Sequence, residues 1–175
     1  DLELPSATLI GHSLGGKVAM QVALTSPERV SDLVVIDIAP VTYAVRQDAA
    51  LDALNLLAEH TIESRRDADA LISGHIAEAS VRAFLLKNLG RNPEGDFRLK
   101  LNLASINQNY SSTLVLAPTG QPYEGPTLFL KGEHSAYIQE KHRSVIQQLF
   151  PHSQLEVVAD TAHWLHAEKP ETVNA

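Results

Sequence analysis

The stretch Leu9-Ile10-Gly11-His12-Ser13-Leu14-Gly15-Gly16-Lys17 constrains the fold of this chain more than any other. Ala7 to Ile10 is an apolar run that reads as a short buried strand, and the nearly all-apolar Val18 to Leu24 reads as a helix. Between them, Gly11-His12-Ser13-Leu14-Gly15 matches G-x-S-x-G, the nucleophile elbow, whose required setting is strand, sharp turn, helix. A serine in so strained a turn needs slender neighbours. Side chains in place of Gly11 and Gly15 are expected to strike the adjoining strand and helix. The helix starts beside Ser13, so its free N–H groups and positive dipole end face the place where an oxyanion would form. The backbone N–H of Leu14 is the first donor expected there. A G-x-S-x-G falling by chance in a loop would lack both flanks.

Composition admits a packed core and removes several chemistries. The 175 residues are 44% hydrophobic and 20% charged, an ordinary globular balance. A net charge of −7 with no basic footprint argues against nucleic acid or an anionic membrane as partner. The absence of cysteine excludes disulfides, thiolate nucleophiles and thiolate metal sites. No apolar run approaches the ~20 residues that span a bilayer, and no secretory signal is recognisable, so a cytoplasmic setting is expected.

Taken in order, the elbow helix is expected over Leu14 to Thr25, stopped by Ser26-Pro27. Asp32 to Asp37 is a β-branched apolar run suited to a strand buried on both faces of a parallel sheet, which completes a βαβ unit. From Arg46 to Gly90 the period is helical: Ala50, Leu51, Leu54, Leu57 and Ala58 share one face, Ser64 can cap a second helix with Asp67 as partner, and Val81, Phe84, Leu85 and Leu89 mark a third that ends at Gly90. Phe97, Leu99, Leu101 and Leu103 then alternate with polar residues as in a small hairpin, with a helix by Ser105. Core strands are expected again at Thr127 to Lys131 and Gln154 to Val158, with a helix from Lys141 to Phe150 between them. The expected organisation is α/β: core residues 1–42, a helical cap insertion over 43–117, and core residues 118–175.

A serine hydroxyl needs a base, and the base needs an acid to fix its tautomer. Of eight histidines, His163 is the one in a loop just after a core strand near the far end of the chain, and functional groups of open α/β sheets gather at such strand ends. The bland alternative for it is a surface histidine. His12 is expected to point away from Ser13 and to be structural; His60, His75, His134, His142 and His152 read as surface residues. His166 raises a metal reading beside His163, but no third ligand is in view, so neither metal nor cofactor is expected. For the acid, Asp37 ends a strand of pure hydrocarbon next to the elbow strand, and strands lie ~4.8 Å apart. Its alternative is a strand-end aspartate that bonds only to backbone N–H groups. Glu133 and Asp160 are the competitors.

These residues, in this order, resemble the α/β-hydrolase superfamily. The resemblance runs over nearly the whole chain: the elbow, Val35 to Pro40, the helical cap, Leu130-Lys131-Gly132 and His163 to Pro170. Asp37-Ile38-Ala39-Pro40 and the His163 stretch are most similar to a small bacterial subgroup of carboxylesterases and acyl-CoA thioesterases. The resemblance implies an α/β-hydrolase fold, present here in part, with a mostly parallel sheet flanked by helices. It implies a triad of Ser13, Asp37 and His163, an oxyanion donor at Leu14, and a small-molecule acyl ester or thioester as substrate. Phe84, Leu85, Tyr110, Tyr137 and Trp164 are candidate pocket groups. In many relatives the acid follows the later strand, where this chain has Ser135, which cannot do that job. Ala162 stands where glycine is frequent. Complete members begin with further strands and a loop that donates a second oxyanion N–H. The chain is therefore expected to be truncated at both ends and poorly active by itself. The same triad would serve perhydrolase, C–C hydrolase or methyl-esterase chemistry. A degenerate, receptor-like member that binds a small ligand with negligible turnover is the alternative from another class.

Overall fold

A computed structural model describes residues 3–44 and 49–174. In chain order the regular elements are β1 (Ala7–His12), α1 (Leu14–Thr25), β2 (Val30–Ile36), α2 (Ala49–Glu59), α3 (Arg65–Ile72), α4 (Ala79–Leu85), β3 (Leu89–Arg91), β4 (Phe97–Leu99), α5 (Leu103–Asn109), β5 (Thr127–Gly132), α6 (Arg143–Leu149), β6 (Ser153–Val158), α7 (Leu165–Glu168) and α8 (Pro170–Val173). They form two compact units, one from residues 1–43 and 116–175, the other from residues 44–115.

The first unit holds a four-stranded sheet in the order β1-β2-β5-β6, with every neighbouring pair parallel. β2 and β5 are central, and each carries an apolar run, Leu33 to Ile36 and Leu128 to Leu130, as a strand covered on both faces requires. On one face Leu33, Val35 and Phe129 pack with Met20, Ala23 and Leu24 of α1 and with Ile146 and Phe150. Phe129 and Phe150 are both fully buried and meet edge-on at 5.7 Å. Truncating either to alanine is a change of about 3–5 kcal/mol in such a core. On the other face Ile36, Leu130, Val158 and Leu165 form a smaller cluster. β1 is an edge strand, and Ile10 on it is 68% exposed.

The chain leaves and re-enters this unit at one place. The Ala117 N–H donates to Thr42 Oγ1 (3.1 Å), and the Lys17 ammonium donates to the Leu116 carbonyl (2.6 Å) while lying 4.9 Å from the Tyr43 ring centroid.

The second unit is built on short helices. Ser64 caps α3 by accepting from the Asp67 N–H (3.1 Å), and the Arg65 guanidinium holds the Leu86 and Leu89 carbonyls (2.7 Å each). β3 and β4 pair antiparallel around a turn in which Gly95 has φ +94°.

Several local expectations are corrected here. Gly90 does not stop a helix but lies in β3 opposite Arg98, because the helix has already closed in a 3-10 turn over Leu86–Asn88. The buried face of α2 is Ala53 and Leu57, and Ala58 is exposed. His142 is not a surface residue: it is 6% exposed, its ring edge-on to Tyr43 at 6.3 Å and its Nδ1 accepting from the Gln139 N–H.

Candidate active site

The C-terminal ends of adjacent strands build the site. Each parallel ladder is extended by one bond beyond its last pair: the Ser13 N–H donates to the Ile36 carbonyl (2.9 Å), and the Asp37 N–H donates to the Leu130 carbonyl (2.8 Å). Both residues then turn sharply, with φ +54° at Ser13 and +53° at Asp37, a region that costs a side-chain-bearing residue strain. Such strain survives only where the surroundings hold it. At the elbow the holding is steric. A Cβ on Gly11 would lie 2.3 Å from the Gly15 carbonyl oxygen, and one on Gly16 would lie 2.7 Å from Ile38 Cγ2. The expectation for Gly15 is overturned: a Cβ there meets nothing within 4 Å. The close-approach glycines are the first of the motif and the one just after it, because strand and helix touch at Gly11 and Gly16.

Asp37 is fully buried, and a buried carboxylate is costly unless its lone pairs are taken. Here they are. Oδ1 accepts from the Gly132 N–H (3.2 Å), and Oδ2 accepts from His163 Nδ1 (2.8 Å) and from the Ser135 hydroxyl. Ser135 Oγ in turn accepts from the Tyr137 N–H (3.2 Å).

His163 sits in the loop after β6. Thr161, fully buried, ties that loop to the Val158 carbonyl through its hydroxyl (2.8 Å), and the Ala162 N–H donates to Glu168 Oε2 (2.9 Å). A Cβ on Gly132 would come within 2.0 Å of the Ala162 carbonyl oxygen, so glycine there lets the loop lie on the end of β5. His163 Nε2 is 3.1 Å from Ser13 Oγ. An ionised carboxylate only accepts, so Nδ1 carries the proton and Nε2 turns its lone pair to the Ser13 hydroxyl. The ring is stacked against Tyr137 (4.1 Å, 27°) and tilted against His12 (4.6 Å).

Thus Ser13, His163 and Asp37 come together as one hydrogen-bonded line. Leu14 opens α1, so its N–H is among those of the first turn that have no partner within the helix. Of the candidate pocket groups, Tyr137 stands against His163, and Trp164 is half-buried 5.2 Å from the His12 ring. Phe84, Leu85 and Tyr110 belong to the 44–115 unit, where Phe84 is 40% exposed and Leu85 is buried.

The competing acids are engaged elsewhere. Glu133 Oε2 accepts from the Asp160 N–H (2.8 Å), and Asp160 pairs with the Lys169 ammonium (3.2 Å). Glu133, His134 and Asp160 bring three possible ligand atoms within 4.8 Å of one another, all exposed, with the Lys169 charge already at that spot.

Two contacts escaped sequence reasoning. Ser135 supports the acid from the position where a carboxylate was sought, and a hydroxyl three residues past a strand-end glycine is the one signal for it. His12, read as structural, donates from Nε2 to the His163 carbonyl (2.8 Å). Burial, and then the neighbouring His163, pull its pKa from 6.5 to about 4. Burial also pulls Lys17 to about 8 and pushes the Tyr43 hydroxyl up to about 12.

Comparison with known proteins agrees with this architecture. A family model described as the alpha/beta hydrolase fold matches residues 2–170. The chain is 39% identical over 177 residues to the mouse (Mus musculus) sn-1-specific diacylglycerol lipase ABHD11, an alignment covering 97% of this chain and 57% of the lipase. It is 36% identical over 172 residues to the esterase YbfF of Escherichia coli (strain K12), covering 98% of this chain and 65% of the esterase. A solved marine microorganism esterase superposes with a TM-score of 0.86 at 35% identity, covering 97% of this chain and 68% of its own. The chain therefore spans between half and two thirds of the length of these curated relatives. By the family match, the sheet order and the strand-end geometry together, this chain belongs to the α/β-hydrolase fold family.

Proposed function

We propose that this chain carries the catalytic residues of a serine hydrolase that cleaves carboxylic esters. The observation that supports this most is the line Asp37 Oδ2, His163 and Ser13 Oγ, with links of 2.8 and 3.1 Å. Ser13 Oγ attacks the acyl carbonyl carbon while His163 Nε2 takes its proton. The negative charge that develops on the carbonyl oxygen is met by the Leu14 N–H and the positive end of α1. Collapse of the tetrahedral species breaks the bond to the leaving oxygen, which receives the proton from His163, and leaves an acyl group on Ser13. Water then repeats the sequence: it attacks the acyl carbon, loses a proton to His163, and releases the acid as Ser13 regains that proton. Asp37 keeps the imidazole in the right tautomer and stabilises the imidazolium. Acyl thioesters present the same carbonyl and are the second substrate class of this reading. Similarity to proteins named esterase and diacylglycerol lipase supports a carboxylic ester as substrate.

Among the described residues no helix is long and apolar enough to cross a membrane. The 44–115 unit, a helical module between two core strands, is proposed to select the acyl chain.

The test uses the full-length protein with p-nitrophenyl esters of graded chain length and a fluorophosphonate probe. The expected result is ester turnover, labelling of Ser13 alone, and a kcat about 10⁴-fold lower in Ser13→Ala. Activity that survives Ser13→Ala removes the reading. A protein that binds esters without turning them over leaves the receptor-like alternative in its place.

A further inference from the structure

His12 occupies the step between the elbow glycine and the nucleophile, and its side chain makes contacts of a distinct kind. Its Nε2 lies 2.8 Å from the backbone carbonyl of His163. Its ring lies 4.6 Å from the His163 ring, 5.2 Å from Trp164 and 4.4 Å from His166. A carbonyl oxygen only accepts, so Nε2 carries a proton. Burial and the adjacent His163 hold the second nitrogen unprotonated down to about pH 4, so His12 is a neutral donor across the working range. A neutral ring beside His163 also adds no positive charge against the imidazolium that forms when Ser13 gives up its proton.

We propose that His12 is a positioning residue for the base: it fixes the main chain of His163 against the residue that immediately precedes the nucleophile. The inference rests on the reading of Ser13, His163 and Asp37 as the reacting line, and adds to it. Asp37 holds only the tip of the His163 side chain, at Nδ1. The loop is anchored just before His163, by the Thr161 hydroxyl on the Val158 carbonyl and the Ala162 N–H on Glu168, but neither contact touches the His163 carbonyl. His12 holds that carbonyl from the elbow itself, so the base is tied directly to the residue next to Ser13. A looser base costs catalysis rather than binding, because the reacting atoms must be held within a fraction of an ångström.

The experiment compares His12→Leu, His12→Gln and His12→Asn in the full-length protein, with Ser13→Ala as control. A glutamine amide nitrogen reaches the place of Nε2, whereas asparagine is one bond too short. The expected result is a kcat lower by about 10- to 100-fold in His12→Leu and His12→Asn with KM changed less than about threefold, and recovery to within about threefold in His12→Gln. Wild-type kcat in His12→Leu overturns the proposal. So do equally low values in His12→Gln and His12→Asn, which would make the ring, not its donor, the part that matters. If His12→Leu does not fold, the glutamine and asparagine pair decides on the same terms. Full activity in Ser13→Ala brings down the reaction reading itself. A dead Ser13→Ala beside a fully active His12→Leu brings down only the role of His12.

Discussion

Asp37 and His12 are the single groups on which the proposed chemistry makes its sharpest demands. Asp37 is buried with three donors on its carboxylate, and Glu133 is exposed with its carboxylate on the Asp160 N–H. Asp37→Asn is therefore expected to lower kcat about 10³- to 10⁴-fold, because an amide stabilises the wrong histidine tautomer, whereas Glu133→Gln lowers it less than about tenfold. Steady-state kinetics on the two variants checks the assignment, and the reverse ranking would move the acid to the later strand. His12 has a folded pKa of about 4 against an ordinary 6.5. Between these values the unfolded chain binds the extra proton and the folded chain does not. His12 therefore keeps its full contribution above pH 6.5, and that contribution is lost as the pH falls towards 4. Thermal unfolding followed from pH 7 to 4 is expected to show a shallower fall in Tm for His12→Gln than for the wild type. The residues Ser13, Asp37 and His163 could be singled out in the sequence because each follows a recognisable strand at a chemically awkward place. His12 and Ser135 could not be given their contacts. Their partners, His163 and Asp37, lie about a hundred or more positions away, and no local pattern encodes a contact between segments so distant in the chain.

At the scale of elements, the strand ends and the first turn of α1 divide the glycines into two kinds. Gly132 lies against the histidine loop, with the Ala162 carbonyl 2.0 Å from where a Cβ would be, whereas Gly15 has open space. Gly132→Ala must displace backbone and is expected to lower both Tm and kcat. Gly15→Ala, in an exposed helical turn, is expected to hold or raise stability by up to about 1 kcal/mol. Calorimetry on the pair tests whether the G-x-S-x-G motif needs its last glycine for packing at all. The elbow helix, β2, β5 and β6 were legible in the sequence because apolar runs and proline stops mark them. The second unit was legible as helical but not in detail. β3 is three residues long and takes its partner from β4, which propensity does not see. In α4, Phe84 is 40% exposed, and the Lys87 ammonium stands 5.7 Å from its ring. Truncating so exposed a side chain costs little stability. Phe84→Ala is expected to change the preference between short and long acyl esters more than it changes Tm, and an unchanged chain-length profile would remove Phe84 from the selecting surface.

At the scale of the whole molecule, the sheet order leaves β1 with one neighbour among the described residues, β2, and with Ile10 exposed. An open apolar strand edge pairs with whatever strand is offered. The 175-residue chain in isolation is expected to elute from size exclusion larger than a monomer, and Ile10→Lys to shift it towards the monomer. A monodisperse wild-type monomer would refute this. The other whole-molecule feature is the place where the chain departs at Tyr43 and returns at Leu116, with Thr42 bonded to Ala117 and Lys17 to Leu116. Closing a loop costs only about 0.6 kcal/mol more for each doubling of its length. With these two ends already held together, the closure entropy depends only weakly on how many residues lie between them. That makes this junction a natural graft point: under the proposed function, exchanging the 44–115 unit there for a module of different length is expected to change the acyl chains accepted while the sheet stays as it is.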